Sequence, residues 1–474
     1  MNVVKNYLYN ASYQLLLVLL PLISMTYVSR VLTNTGVGIN SYTNSIITYF
    51  ILFGSLGINL YGNRQIAYLR EDKLEMSKTF WEIVILRFIT IIIAYIAFII
   101  YVPFSRYPTI MIYQSINLVA VIFDISWLFM GIEDFKKTVT RNTLVKVFSL
   151  VAILLLVRSK QDLGLYVVIL GLGTFLGNLT LWPFIKEIII KVPLKKLELK
   201  RHLRPSLILF VPQVAVSIYA VLNKTMLGNM TGAVNSGYYN NADTIIKTVL
   251  ALATATGTVM LPHVANAFAK GEREKINQML YDSFDFISFS TIPMMFGLAG
   301  LSMHLGPYIY GAGFEPVGIA MFLETPVLLL IGWSNAIGTQ FLLPTNRTKE
   351  YTTSVMVGAV TNIILNFPLI YLWGLKGAVI ATVISEVGVT VYQLWVIRSI
   401  VKYKELFINV WKYFFAGIAM FIPVFKLNNT LHTSVFTIFI EIVIGTAIYV
   451  VAILILRPTI VFKARNLFLK QRRK

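Results

Sequence analysis

Apolar residues recur along the chain in runs long enough to cross a bilayer as helices. A hydrocarbon core of about 30 Å takes roughly 20 residues of α-helix, and runs of that order continue from the N-terminal residues to residue 456. The pattern predicts an all-α polytopic membrane protein with about 14 transmembrane helices. The predicted spans are 9–28, 42–61, 81–101, 109–130, 143–157, 163–182, 207–228, 241–261, 283–303, 317–343, 351–372, 377–397, 411–425 and 434–456.

The composition supports this prediction and excludes several classes of protein. Hydrophobic residues make up 57% of the 474 residues, charged residues only 13%, and the mean hydropathy is +0.73. A soluble globular domain carries about 25% charged residues, so a single aqueous domain is excluded. The chain has no cysteine, which excludes disulfides, thiolate metal ligands and a cysteine nucleophile.

The basic charge indicates membrane topology. The chain has 41 Lys and Arg against 21 Asp and Glu, a formal charge of +20. Most of these cations fall in alternate connections, such as residues 183–206 and the C-terminal tail, and short loops rich in Lys and Arg stay cytoplasmic. We therefore expect both termini inside the cell, and no nucleic-acid partner. The tail reads as an anchor to membrane lipids.

The longest connection, residues 183–206, separates six predicted spans from eight, and its stretch of Lys and Leu predicts an amphipathic interfacial linker.

The spans on either side show a weak repeat. The first and the seventh predicted span each contain a proline and have a cation near the outer end. Two glycines follow each of these spans. Paired interruptions of this kind indicate a transporter binding site, although coincidence among membrane helices is the alternative. The paired positions are Pro21, Arg30, Gly36 and Gly38, against Pro212, Lys224, Gly232 and Gly237.

Enzyme and cofactor signatures are not evident. The four histidines lie far apart in sequence, and no pair has the spacing of a helical zinc site. Gly171, Gly173 and Gly177 lie in an apolar span, where small residues favour helix packing over dinucleotide binding. No Walker-type phosphate loop occurs. We expect a protein that is not an enzyme, with no metal and no cofactor.

Ionisable residues inside the spans are the candidate functional residues. Each costs about 2.5–3.5 kcal/mol at the centre of a membrane helix, so such groups persist mostly where they face a polar cavity or a partner. Asp243 and Lys247 are one helical turn apart and are expected to share a face. Asn362 and Asn366 line a cavity or join helices by hydrogen bonds. The candidates are the cations Arg30, Arg87, Lys224 and Lys247 and the acids Asp124, Asp243, Glu324 and Glu386.

A cavity with several cations, some acids and aromatic rings suits an amphiphilic anion. Lys and Arg bind pyrophosphate, and amide and aromatic side chains suit sugars. This chemistry alone also admits other anionic amphiphiles.

Three stretches resemble polysaccharide-type flippases of the multidrug/oligosaccharidyl-lipid/polysaccharide exporter superfamily. The first is Gly57-Ile-Asn-Leu-Tyr-Gly-Asn-Arg64 and its continuation to Asp72, and the second runs from Gly237 to Ala242. The third is Asn362-Ile-Ile-Leu-Asn366 followed by residues 374–386. Their order and positions match the family over almost the full chain.

The resemblance implies two six-helix bundles around a central cavity, over residues 1–190 and 207–400, joined by the basic cytoplasmic linker 191–206. Two additional helices over 401–456 and a basic cytoplasmic tail over 457–474 follow. It also implies a flippase of the bacterial cytoplasmic membrane whose cargo is an undecaprenyl-pyrophosphate-linked oligosaccharide for capsule, exopolysaccharide or O-antigen. A polysaccharide polymerase and glycosyltransferases of the same pathway are the implied partners.

Carried over, the cationic cavity role falls on Arg30, Arg87, Lys224 and Lys247. Lys224 follows Asn223 where relatives often have an acid, so no coupling ion is assigned. The expected mechanism is alternating access without covalent chemistry. The alternatives are a cation-coupled multidrug antiporter or a peptidoglycan lipid-precursor flippase of the same superfamily, and a membrane polysaccharide polymerase.

Overall fold

A computed structural model describes residues 2–254 and 264–462, and every regular element within them is helical. Ten helices there are long and apolar enough to cross a membrane, or 11 if a bent pair over residues 315–342 is one span. Helices overlie each predicted span, although residues 255–261 of the span 241–261 fall outside the described ranges. The prediction of an all-α polytopic membrane protein is confirmed.

The chain divides into two compact units, Met1–Gly228 and Asn229–Lys474. The division lies near the end of one helix, so the predicted span 207–228 belongs to the first unit. The first unit contains α1 Asn2–Ser55, α2 Ile58–Leu69, α3 Lys73–Tyr101, α4 Pro108–Ile122, α5 Ser126–Gly131, α6 Phe135–Leu156, α7 Leu163–Leu179, α8 Ile185–Ile188 and most of α9 Lys200–Met230.

The second unit begins within the last turn of α9, and its regular elements are also helical in the part of the chain that the structure describes. Residues 264–269 form a further short helical segment. The numbered helices of the second unit are α10 Ala233–Thr254, α11 Arg273–Tyr310, α12 Glu315–Glu324, α13 Pro326–Ser334, α14 Thr348–Trp373, α15 Leu375–Ile397, α16 Tyr403–Leu406, α17 Val410–Thr430 and α18 Val435–Leu456.

Two breaks in the first unit lie where local backbone geometry departs from the helix. Helix α1 covers the first predicted span and most of the second, with an interruption at Thr33, whose φ is 62°. The second predicted span, 42–61, is broken after Ser55 by Leu56 at φ 45° and Gly57 at φ 70°. A side chain on Gly57 would meet the backbone of Phe210 at 3.1 Å. Glycine is therefore needed there for both its conformation and the close approach of α9.

The predicted span 317–343 in the second unit is also broken. Helices α12 and α13 meet at an angle of 41° on either side of Thr325. Pro326 begins α13 and has no backbone N–H to continue the hydrogen-bond ladder, which accounts for the bend. The helix then continues as a π-helix over Asn335–Leu342. Glu324, the last residue of α12, therefore lies directly at the bend.

A buried apolar cluster joins α2, α3 and α5 in the first unit. Phe80 and Trp127 are completely or almost completely buried in it, with ring centroids 5.5 Å apart. Gly62 allows the approach of α2, because a Cβ at that position would collide with the Trp127 ring. This packing holds together α2 and α3, which carry Asn59 and Arg87.

The predicted linker 191–206 contains a short 3₁₀ turn over Leu194–Lys196 and the start of α9 at Lys200. Of the predicted basic tail 457–474, residues 463–474 lie outside the described ranges. The predicted domain boundaries stay a prediction.

Candidate functional site

Helix α10 places Asp243 and Lys247 one turn apart in the second unit. The Lys247 ammonium donates to the Asp243 carboxylate, with Nζ 2.8 Å from Oδ2. The Asp243 side chain is 8% exposed, whereas that of Lys247 is 52% exposed. The shared face predicted from the i, i+4 spacing is confirmed, and the cation is the open member of the pair.

Two more carboxylates approach this pair from other helices. Glu324, at the bend between α12 and α13, is 1% exposed, and Glu386 in α15 is 6% exposed. Both are close enough to interact electrostatically with the Lys247 ammonium. We call Asp243, Lys247, Glu324 and Glu386 the acidic cluster. With all four groups ionised, its formal charge is −2, yet its exposed member is a cation.

Among the described residues, no three His, Asp or Glu side chains are arranged to hold a metal ion. The acidic cluster consists of one exposed lysine beside three buried carboxylates. Such a set can bind an anion through the ammonium, and can exchange a proton or a monovalent cation among its carboxylates.

The first unit encloses Arg87 completely. Arg87, on α3, is 1% exposed, and its guanidinium donates to the side-chain oxygen of Asn59 and to the backbone oxygen of Asp124. The Asp124 carboxylate lies 4.0 Å from Arg87 and 3.8 Å from Arg141. We call Arg87, Asn59 and Asp124 the arginine brace. It joins α2, α3 and the connection between α4 and α5.

The other two predicted cations also lie in the first unit. Arg30 is exposed and precedes the interruption of α1 at Thr33. Lys224 in α9 is half-buried. The neighbouring Thr225 hydroxyl donates to Ser45 at 2.9 Å, which ties this end of α9 to α1. Their predicted role in cargo binding stays a prediction.

Asn362 and Asn366 form a buried amide pair on α14. Both are 0% exposed, and the Asn366 Nδ2 donates to the Asn362 Oδ1 at 2.8 Å. This burial favours the packing interpretation over the cavity-lining one, and their predicted contact with cargo stays a prediction.

The sequence analysis missed a buried polar network at the start of α9. The Glu82 carboxylate, 0% exposed, lies 2.6 Å from the His202 Nε2 and accepts from Arg201 Nη2 at 2.6 Å. The His202 Nδ1 is in turn 2.7 Å from the Tyr61 hydroxyl. The network fastens the end of the predicted linker to α2 and α3. Glu82 lies inside the predicted span 81–101, and an acid at such a position indicates a buried polar partner.

A second missed group fastens α17 to α11. Asp285, 9% exposed, accepts from the Tyr413 hydroxyl at 2.9 Å and from the Asn409 amide at 3.0 Å. Asp285 also lies inside a predicted span. Both groups satisfy buried polar atoms within the protein, which is the requirement for burying them at all.

Residues 3–268 of the 474-residue chain, more than half of it, match the family described as "Polysaccharide biosynthesis protein". The "Putative O-antigen transporter" of Escherichia coli (strain K12) is 24% identical over 410 residues, which cover 83% of this chain and 96% of that protein. The "Lipid II flippase MurJ" of Bacillus subtilis (strain 168) is 28% identical over 158 residues, 33% of this chain and 29% of that protein.

The fold is also shared with a solved structure, "Lipid II flippase MurJ, inward closed conformation". The TM-score is 0.77 at 16% sequence identity, over 95% of this chain and 98% of that one. The observed helices, the family match and the shared fold agree with one another. The chain is therefore a multi-pass membrane protein that belongs to the polysaccharide biosynthesis protein family and has the fold of a flippase-type transporter.

Proposed function

We propose that this protein flips undecaprenyl-pyrophosphate-linked oligosaccharide repeat units across the bacterial cytoplasmic membrane, for capsule, exopolysaccharide or O-antigen synthesis. Both termini are in the cytoplasm, as the distribution of Lys and Arg predicts. The cargo enters from the inner leaflet and leaves in the outer leaflet by alternating access, without covalent chemistry. Glycosyltransferases of the same pathway act before this step, and a polysaccharide polymerase acts after it.

The observation that carries the proposal is the Lys247 side chain, which is 52% exposed and lies within the predicted span 241–261. A cation at that depth costs about 2.5–3.5 kcal/mol if it faces hydrocarbon, so such residues almost always face a polar space or a partner. Lys247 has a partner in Asp243, and 52% of its side chain is still accessible. The exposed part of the Lys247 side chain leaves an anionic group a way to approach it without displacing the buried acids.

The acidic cluster also suits release of the cargo. A pyrophosphate bound to an isolated ammonium in a low-dielectric site would be held tightly, because charge-assisted contacts strengthen as water is excluded. The carboxylates of Asp243, Glu324 and Glu386 compete with the cargo for the same cation. Binding is then reversible, which a transporter requires at both faces of the membrane.

The membrane potential favours the proposed direction of transport. An inside-negative potential drives negative charge outward, and moving one such charge across the membrane gains about 2.3 kcal/mol per 100 mV. The relative named as an O-antigen transporter aligns over most of both chains. This supports a glycan cargo over a drug, the cargo of the antiporter alternative.

The proposal is tested by measuring the leaflet distribution of lipid-linked oligosaccharides in cells depleted of this protein. A membrane-impermeant glycan probe is applied to intact cells and to inverted vesicles. We expect complete repeat units to accumulate on the cytoplasmic face and to return outward when the wild-type gene is restored. A normal outward distribution after depletion would contradict the proposal, and unpolymerised units on the outer face would indicate a polymerase.

Flipping of a peptidoglycan lipid precursor is the second candidate. One lipid II flippase is 28% identical over a third of the chain, and a solved lipid II flippase structure has a similar fold over 95% of it. The same experiment separates the two. The mass of the stranded lipid identifies either a polysaccharide repeat unit or a peptide-bearing disaccharide.

A further inference from the structure

A groove runs along the first unit between α6 and α7, and one of its lining residues, Arg141, also reaches Asp124 of the arginine brace. Its volume is about 910 Å³. Helix α6 forms one wall, and among the ten candidate spans in the described residues it is the least buried, with only 6% of its apolar window covered by protein. The groove therefore faces the surroundings of the first unit, which in a membrane are lipid.

Most of the groove is apolar. Leu144 and Phe148 on α6 are 50% and 69% exposed, and Leu172 and Leu176 on α7 are 42% and 56% exposed. The two pairs are spaced by one helical turn, so each helix contributes a continuous stripe.

The floor of the groove is made by the glycines that the sequence analysis assigned to helix packing. A Cβ on Gly177 would collide with the Val145 side chain, and one on Gly173 with the Ser149 hydroxyl. The helices can approach only because these residues have no side chain. The packing interpretation is confirmed, and its consequence is a trough between the two leucine-rich stripes.

One end of the groove is basic. Lys136, Lys137 and Arg141 line it together with a single carboxylate, Asp134. Lys137 is 3.1 Å from Asp134 and lies over the Phe184 ring at 4.9 Å from the centroid. These cations belong to a connection that the distribution of charge places on the cytoplasmic side.

We propose that this groove binds one anionic phospholipid of the inner leaflet, with its phosphate at Lys136 and Lys137 and an acyl chain along the leucine-rich trough. Basic pockets between membrane helices on the cytoplasmic side bind anionic headgroups. Lys136 and Lys137 against Asp134 leave this end of the groove with a net positive charge, while Arg141 lies 3.8 Å from Asp124 of the arginine brace.

The length of the groove supports an acyl chain from a single leaflet. Ala152 is the last residue of α6 that lines the groove, and it lies 11 residues after Arg141. This separation is about 16 Å along the helix at 1.5 Å per residue. Half of a hydrocarbon core of about 30 Å is about 15 Å. The apolar trough therefore ends near the bilayer midplane, where an acyl chain of a membrane phospholipid also ends.

The experiment uses the full-length protein in nanodiscs that contain a phosphatidylglycerol with a photoactivatable acyl chain. After illumination, mass spectrometry maps the labelled peptides, with unlabelled lipids as competitors. We expect adducts concentrated on residues 144–152 and 169–176. Unlabelled phosphatidylglycerol should compete at least fivefold better than phosphatidylcholine.

Variants distinguish the headgroup contact from general contact with lipid. K136Q/K137Q should lower labelling at least fivefold, whereas K195Q/K196Q, which removes two exposed lysines outside the groove, should leave it within twofold. Leu176→Trp, at an exposed position, fills the trough and should lower labelling without changing the surface charge. This second variant keeps the test decisive if the double lysine variant folds poorly.

Three results would overturn the proposal. Labels spread evenly over all spans, or equal competition by phosphatidylcholine, would show ordinary contact with bulk lipid. Equal competition by an undecaprenyl-pyrophosphate glycan would assign the groove to the proposed cargo. The mapping does not depend on transport, so its failure and that of the proposed function are separate results.

Discussion

The arginine brace and the acidic cluster place charge inside predicted membrane spans in opposite ways. In the brace, the cation is 1% exposed and the carboxylate of Asp124 is 18% exposed. In the acidic cluster, the cation is 52% exposed and the carboxylate of Asp243 is 8% exposed. The brace directs its donors into the protein, whereas the acidic cluster directs its donor outward.

This difference separates two reasons for keeping a charge in a membrane. Arg87 joins three segments of the first unit through Asn59 and Asp124, so its contacts are already used by the fold. Lys247 contacts one neighbour on its own helix and remains accessible. We infer that the first group stabilises its unit and that the second one binds cargo.

The largest expected effect is the loss of the brace. Arg87→Ala leaves a cavity, the Asp124 carboxylate without its buried partner and the Asn59 oxygen without its donor, and we expect it to destabilise the first unit by about 3 kcal/mol. The measurement is the fraction of monodisperse protein after heating, followed by fluorescence-detected size exclusion.

Arg70→Ala is the matched control, since Arg70 pairs with Glu133 at 2.9 Å but is 46% exposed. An exposed ion pair contributes about 0–1 kcal/mol, so this variant should resemble the wild type. An Arg87→Ala protein of full stability that fails to transport would move Arg87 into the cargo site.

The second prediction concerns transport without a loss of folding. Lys247→Gln should fold normally but lower surface polysaccharide roughly tenfold, because a charge-assisted contact to pyrophosphate becomes a neutral one. Lys275→Gln is the control, because Lys275 forms a similar helical ion pair, with Glu272 at 2.7 Å, next to the exposed start of α11. Equal amounts of surface polysaccharide from both variants would contradict a cargo-binding role for Lys247, and with it the difference between the acidic cluster and the arginine brace.

A smaller effect is expected when one buried acid is neutralised. Glu386→Gln raises the formal charge around Lys247 by one unit and removes a competitor for its ammonium, so the apparent KM for cargo should fall about threefold. The measurement is transport rate against cargo concentration at matched protein levels. A higher KM would mean that Glu386 assists binding, contrary to the proposed role of the acids in release.

The smallest expected effect is on the amide pair of α14. Asn366→Ala removes one buried hydrogen bond to Asn362 within α14, and a typical intramolecular hydrogen bond contributes about 0.5–1.5 kcal/mol. We expect a small fall in melting temperature and unchanged transport, with the exposed Asn429→Ala as control. A tenfold transport defect with normal stability would instead assign the pair to cargo binding.

Hydropathy was sufficient to predict where the helices lie, because the free energy of burying about 20 apolar residues is a property of the segment itself. It did not predict the breaks at Leu56–Gly57 and at Thr325–Pro326. A window of about 20 residues averages over single positions, and both breaks depend on backbone conformation at one or two of them.

The candidate site could be predicted only in part. Asp243 and Lys247 were paired from their spacing, since that contact lies within one helix. Glu324 and Glu386 join them from two other helices, and no sequence pattern gives the rotation of one helix against another. The same limit hid the burial of Arg87 and the approach of His202 to Glu82, whose positions are 120 residues apart.

The most direct test of the central claim is transport by purified protein in liposomes with an imposed inside-negative potential. The cargo is undecaprenyl-pyrophosphate oligosaccharide loaded in the inner leaflet, and its appearance outside is followed with an added lectin. Wild-type protein and Lys275→Gln should move the glycan at equal rates, with Lys247→Gln about tenfold slower at the same amount of folded protein. Glycan movement by Lys247→Gln at the wild-type rate would contradict the account.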